Sequence, residues 1–358
     1  MIALNSPIKP NIKKLTNLLE QVNNSGWYTN FGPLHKELTD RLEDYLGVNN
    51  LLLTNNGTSA LQVAAKSIGS QSILATPFSF VATVSAFKWQ KDELAFADID
   101  ARSLNLSPES IQSAYRKGCK ADTVVATHVY GNPCDVTSFD ELSDKNNFQI
   151  IYDAAHSFGV KIKDDSVLAY GDASTLSFHA TKIFHTVEGG AIVFKDRTNL
   201  EKAREIINFG ICSDYGVVGI GINAKLNEYQ AAVGLVNLDE INNIIEHRAE
   251  LFYQYREGLK NIVELPEWHS EANYNGAYMP ILLRDNEQMV NVVKYLAKNK
   301  VQSRHYFNPS LDKIFVDSHN YGTKNSLSAA ERILCLPMHA HLSTKDVHSV
   351  ISKIKEVA

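Results

Sequence analysis

The sequence predicts an α/β protein, with helices on both faces of a parallel or mixed sheet, on three observations. Between residues 34 and 195, short apolar runs alternate with amphipathic stretches. The apolar runs are continuous rather than alternating, as suits strands buried on both faces. The 358 residues exceed what one core usually serves, so a second domain is expected.

In chain order, "LHKELTDRLEDYL" puts Leu34, Leu38, Leu42 and Tyr45 on one face at helical spacing. "NLLLT" (50–54) reads as a strand and "TSALQVAAKSI" (58–68) as a helix. "SILAT" (72–76), "FVATVSAFKW" (80–89) and "ELAFADI" (93–99) continue as strand, helix and strand. "SPESIQSAYRK" (107–117) is a helix opened by a Ser-x-x-Ser cap. "DTVVATHVYG" (122–131) and "FQIIYDAAH" (148–156) are strands flanking a helix near 136–146. After "GAIVF" the character changes, and residues 223–262 read as long helical sequence. Strand and helix candidates follow at 277–284, 286–299 and 343–357. A boundary near 240 divides a large domain, 1–240, from a smaller C-terminal one, 241–358. About the first 25 residues are expected to pack with the smaller domain.

Bulk properties exclude several classes. A formal net charge of −5 offers no basic excess to neutralise phosphates, so no nucleic-acid partner is expected. No apolar run reaches the ~20 residues of a membrane span, and "MIALNSPIKPNIKK" lacks the apolar core of a signal peptide, which points to the cytoplasm. The four cysteines include no CxxC pair, and His128, His156, His179 and His185 lack metal-ligand spacing, so no metal is expected.

In open α/β sheets ligands bind beyond the carboxyl ends of strands. There the sequence places Gly57, Thr58 and Ser59 at a helix start, Phe80 at the next, Asp153 ending an apolar run, and then Ser177 and Lys182. Each has an ordinary reading on its own, as an N-cap, a core ring, a turn cap or a solvated lysine. One ligand accounts for all of them. A phosphate fits Gly57 to Ser59 with Ser177, and a planar ring fits Phe80. A protonated ring nitrogen fits Asp153, and an aldehyde carbon fits the Lys182 amine. Pyridoxal 5′-phosphate (PLP) has these four features. A nicotinamide-dependent reductase would need GxGxxG after the first strand, and "TNNGTSAL" does not supply it.

Nine segments, in order, resemble the DegT/DnrJ/EryC1/StrS family of PLP-dependent sugar aminotransferases: "SGWYTNFGP", "NNGTSAL", "PFSFVAT", "HVYGNPCD", "YDAAHSFG", "SFHATK", "EGGAI", "GINAKLNEYQAAVGL" and "LCLPMHAHLS". The resemblance implies the aspartate aminotransferase-like fold (PLP fold type I), with a mixed, mostly parallel seven-stranded sheet. It implies that Lys182 bonds the cofactor's aldehyde carbon and later shuttles protons. Asp153 would pair with the pyridine nitrogen, Phe80 would stack on the ring, and His156 would lie near the 3-hydroxyl. Gly57, Thr58, Ser59 and Ser177 would hold the phosphate. Asn223 or Lys225 would reach the phosphate of the neighbouring subunit, in a homodimer with shared active sites. Tyr28, His305 and Tyr306 are the substrate-binding candidates. "SRHYFNPSL" departs from the commoner pattern, with Asn308 before Pro309 and no following histidine.

The implied reaction moves an amino group from L-glutamate, through the pyridoxamine 5′-phosphate form, to a nucleotide-linked ketosugar. The likeness favours amination at C4 of dTDP-4-keto-6-deoxyglucose for O-antigen or other surface glycans. The alternatives are a C3-aminating enzyme acting on a 3-keto sugar and a non-catalytic protein that keeps the PLP fold.

Overall fold

The computed structural model describes residues 1–212 and 215–358. The predicted strands form at Leu51–Thr54, Ser72–Ala75, Glu93–Phe96, Thr123–Thr127 and Gln149–Asp153, with Ala173–Ser177 and Gly190–Phe194 completing the set. Their side chains are buried almost throughout, for example at every position of Thr123–Thr127 and Gly190–Phe194. The unbroken apolar runs have that cause: helices cover both faces. In space the order is 51–54, 190–194, 173–177, 149–153, 123–127, 72–75, 93–96 and 319–320. Gly190–Phe194 is antiparallel to both neighbours, and the other pairings are parallel. The sheet thus has one strand more than the seven expected. The addition is His319–Asn320, two residues from the C-terminal part that pair with Ala95 and Phe96 at the open edge. A two-residue strand carries no periodicity for a sequence reading to detect.

Helix ends follow local chemistry. The side chain of Asn56 caps Gly57–Ile68 and that of Asp135 caps Val136–Asn146, each accepting a backbone N–H of the first turn. The stretch 223–262 is not one helix. Asn227 and Gln230 form a capping box that starts Glu228–Leu238, and a second helix, Ile241–Leu259, follows a break at Asp239. The Asp239 carboxylate binds Lys14 at 2.6 Å and Arg41 at 2.9 Å.

One hydrophobic cluster fills each face of the large sheet, and a third lies in the C-terminal part. The helix Ile241–Leu259 passes between them: Ile241, Ile244 and Ile245 pack on a sheet cluster, while Leu251, Phe252 and Tyr255 belong to the third. The N-terminus is divided likewise. Ile2 pairs with Val301, and the Leu4 carbonyl accepts from Met338 N, so residues 2–4 lie on the C-terminal part. The helix Ile12–Ser25 instead sets Leu15, Leu18, Leu19 and Val22 against a cluster of the large sheet. The initial 25 residues thus divide, with residues 2–4 on the C-terminal part and Ile12–Ser25 on the large sheet. Among the described residues, no helix is long and apolar enough to cross a membrane.

Candidate active site

The carboxyl ends of Thr123–Thr127, Gln149–Asp153 and Ala173–Ser177 open on a cavity of about 320 Å3. Thr127, Asp153, Ser177, Lys182, Phe80 and His156 line it, with Gly57 and Thr58 at one end and Tyr278 and Tyr306 from the C-terminal part closing it. Residues far apart in the chain meet because parallel strands carry all their carboxyl ends to one edge of the sheet.

Lys182 is half-buried in the turn after Ser177, its backbone N–H bonded to the His179 carbonyl at 2.9 Å. Its Nζ lies 5.8 Å from the centre of the Tyr278 ring. Burial lowers the ammonium pKa to about 8, against the opposing pull of the Asp153 charge. A neutral amine is therefore available near neutral pH, as a nucleophile toward carbonyls requires. A small aldehyde trapped by reduction on the protein without cofactor tests this. Labelling at Lys182 is expected to rise about tenfold per pH unit below the pKa and to level off above pH about 8. A rise continuing beyond pH 10, as for a free lysine, would contradict it.

Asp153 ends its strand and is buried. Thr83 Oγ1 donates to Oδ2 at 2.6 Å, and Ala155 N donates to Oδ1 at 3.2 Å. Burial raises the carboxyl pKa, while these two donors and the Lys182 charge oppose the rise. His156 Nδ1 accepts from Tyr130 N at 3.2 Å, which leaves the ring proton on Nε2. Burial keeps the ring neutral, its pKa pushed well below the ordinary value, with the Lys182 charge acting in the same sense. The His156 ring lies parallel to that of Phe307 and edge-on to Tyr278.

At the other end, a Cβ on Gly57 would stand 2.9 Å from Ser177 Cβ and 3.3 Å from its Cα. Only glycine allows the start of Gly57–Ile68 to lie directly on that strand end. Backbone N–H groups at a helix N-terminus, beside the Thr58 and Ser177 hydroxyls, form an anion cradle. Ser59 is not in the cavity lining. Its N–H is taken by Asn56 Oδ1 at 2.8 Å, and Asn56 lines the cavity instead. Phe80 lines it as the residue before Val81–Trp89, 51% exposed, so its ring is available to a ligand rather than spent in the core.

These residues fit PLP: a cradle for the phosphate, an aromatic for the ring, a buried carboxylate for the ring nitrogen and a desolvated amine for the aldehyde. Four further candidates lie outside the cavity. His305 is half-buried beyond it, and Tyr28 packs edge-on to Tyr229 at 5.9 Å. Asn223 is exposed, and the backbone around it accepts from Asn55, on the outer side of the cradle loop. Lys225 is buried, its Nζ 4.4 Å from the centre of the Phe209 ring and without a hydrogen-bond partner among the described residues. Sequence reasoning did not find Asn56, Thr83, His179, Glu188, Tyr278 or Phe307, which all line the cavity. The doubled Asn before Gly57 is a cap signal that pointed to Asn56. Tyr278 and Phe307 arrive from the C-terminal part, and nothing local announces it.

The profile of the DegT/DnrJ/EryC1/StrS aminotransferase family matches residues 10–355. The dTDP-4-amino-4,6-dideoxy-D-glucose transaminase of Shigella dysenteriae is 36% identical over 99% of both chains. The enzyme of that name from Escherichia coli is 33% identical over 97% of this chain and 96% of its own. Among solved structures, DesI crystallised in the presence of its TDP-sugar product superposes with a TM-score of 0.91 at 28% identity, over 99% of this chain and 92% of the other. The chain belongs to the DegT/DnrJ/EryC1/StrS aminotransferase family and is a PLP-dependent sugar aminotransferase.

Proposed function

We propose that this family member transfers the amino group of L-glutamate to C4 of a nucleotide-linked 4-keto-6-deoxy sugar, dTDP-4-keto-6-deoxyglucose, in the cytoplasm, for O-antigen or related surface glycans. The observation that carries the reading is one cavity holding Lys182, Asp153 and the Gly57 cradle, in a chain whose 36%-identical relative is named for that 4-amino product.

When bound, PLP supplies an electron sink for carbanion chemistry. The chain supplies the rest. Gly57, Thr58 and Ser177 would anchor the phosphate, and Phe80 would face the ring. Asp153 would offer its negative charge to a protonated ring nitrogen. Neutral His156 would have its Nε2 proton to offer to an oxygen substituent of the ring. The Lys182 amine, poised near neutrality, accepts a proton from one carbon and returns it to another. Tyr278 and Tyr306 would keep water from that proton, and Tyr306, which lines the cavity with Phe307, is the substrate contact we assign to the SRHYFNPSL segment. The enzyme is tested by measuring kcat/KM with glutamate and a panel of dTDP-, UDP- and GDP-linked 3-keto and 4-keto sugars. The reading expects the dTDP 4-keto sugar to lead. A preferred 3-keto sugar would overturn the C4 assignment.

The active form is a homodimer whose subunits share sites. An exposed apolar face supports this: Phe209, Ile211, Tyr215, Val217, Ile220 and Ile222 are all at least 39% exposed. Charge supports it too, since the cradle offers only neutral donors to a phosphate of nearly two negative charges, and a side chain from Asn223 or Lys225 of a second copy would add a hydrogen bond. Mixing Lys182→Ala subunits with Asn223→Ala/Lys225→Ala subunits is expected to restore about half the wild-type activity per heterodimer, because one of its two sites is then intact. No recovery in heterodimers verified by native mass spectrometry would remove these residues from the partner's site.

A further inference from the structure

We infer that three buried hydroxyls, those of Thr127, Ser79 and Thr83, form a one-directional donor chain that holds the negative charge on Asp153, with Thr83 as its last link and a positioning residue for the cofactor's ring proton. This rests on the reading of Asp153 as the partner of the ring nitrogen.

The geometry is direct. Thr83 Oγ1 donates to Asp153 Oδ2 at 2.6 Å. Ser79 Oγ lies 2.8 Å from Thr83 Oγ1 and 3.0 Å from Thr127 Oγ1. A hydroxyl has one proton to give. Thr83 spends its proton on the carboxylate, so Ser79 must donate to Thr83, and Thr127 must then donate to Ser79. All three dipoles point the same way, toward the negative charge, and aligned hydrogen bonds polarise one another. The opposite direction would need Asp153 to carry the proton: burial favours this, and the Ala155 N–H on the other oxygen, the nearby Lys182 charge and, with the cofactor bound, a protonated ring nitrogen oppose it.

Burial makes the chain matter. Ser79, Thr83 and Thr127 are 2%, 0% and 2% exposed and Asp153 is 6% exposed, so these hydroxyls act where solvent is largely excluded. A carboxylate in such a place is costly unless fixed donors satisfy it. The fold brings the donors in from separate elements. Thr127 is the register partner of Asp153 on the adjacent strand, and Ser79 and Thr83 come from the loop and first helical turn that also present Phe80. The segment that orients the ring thus also sets the charge facing the ring nitrogen. With the chain broken, Asp153 becomes the stronger base, and the shared proton moves from the ring to the carboxylate.

The test reads the ring nitrogen rather than turnover. Full-length protein is loaded with PLP labelled with 15N in the ring, and the nitrogen chemical shift is recorded alongside PLP affinity by equilibrium dialysis. Thr83→Val keeps the volume and removes the donor. It is expected to move the shift toward unprotonated pyridine and to weaken PLP binding about tenfold, the scale of a lost hydrogen bond to a charged group. Thr83→Ser should restore both, Ser79→Ala should give an intermediate shift, and Thr83→Val/Ser79→Ala should be no worse than Thr83→Val alone. A wild-type shift in Thr83→Val, or a Thr83→Ser as defective as Thr83→Val, would overturn the chain. Should Thr83→Val not fold, a wild-type shift in Ser79→Ala, one link removed from the carboxylate, would overturn it equally. Asp153→Asn in the same assay separates the two claims. A shift altered there but not in the hydroxyl variants sinks only the chain, whereas an unaltered shift in Asp153→Asn sinks the reading of Asp153 as well.

Discussion

Replacing Lys182 with alanine is expected to lower kcat by at least about 10^4-fold, because the substitution removes the nucleophile and the proton carrier together. The long-wavelength absorbance of lysine-bound PLP should vanish with it. The fold should survive. Lys182 stands in a turn held by backbone bonds, among them Phe178 N to the Gly189 carbonyl at 2.8 Å and Thr186 N to the Phe178 carbonyl at 3.0 Å, which the substitution leaves in place. Removing a desolvated amine also relieves a cost of burial, so in the cofactor-free proteins circular dichroism and thermal midpoint should match or exceed wild type. Noncovalent binding of pyridoxamine 5′-phosphate should persist, since the Gly57 cradle and Asp153 are untouched. Retained transaminase activity would contradict the assignment of Lys182.

Asp153→Asn is expected to lower kcat by about 10^2-fold or more, the scale of losing one preorganised electrostatic group, while Lys182 still captures the cofactor. An amide cannot hold a positive ring nitrogen as a carboxylate does. A second readout fixes the sign independently. The Asp153 charge favours the Lys182 ammonium, so its removal should lower the lysine pKa below about 8. The plateau in aldehyde labelling should then begin at lower pH. Unchanged kinetics with an unchanged plateau would make Asp153 a turn cap and nothing more.

The large sheet was legible because its strands are buried on both faces, and continuous runs such as "TVVAT" and "GAIVF" carry that signature without ambiguity. Gly57, Phe80, Asp153, Ser177 and Lys182 could be grouped because each lies at a carboxyl end or the helix start after it, and the topology brings such ends together whatever lies between. The missed residues lack that logic. Tyr278 lies just before the strand Met279–Leu282 of the C-terminal part, and only tertiary packing carries it to within reach of Lys182. Thr83 reads as one more residue of an apolar helix until its bond to Asp153 is seen. The break near Asp239 was hidden because no glycine or proline marks it, only a carboxylate drawn to Lys14 and Arg41 more than 190 residues away. Ser59 stands outside the cavity lining, and its N–H is held by Asn56, since a cap residue competes with a ligand for the same N–H.

The most direct measurement follows one nitrogen atom. The PLP-loaded enzyme is incubated with 15N-labelled L-glutamate and dTDP-4-keto-6-deoxyglucose, and the sugar nucleotide is analysed by mass spectrometry and NMR. The account predicts one 15N per product sugar, bonded to C4, with 2-oxoglutarate formed in equal amount and neither product in Lys182→Ala. An unlabelled sugar, or label at C3, would contradict it.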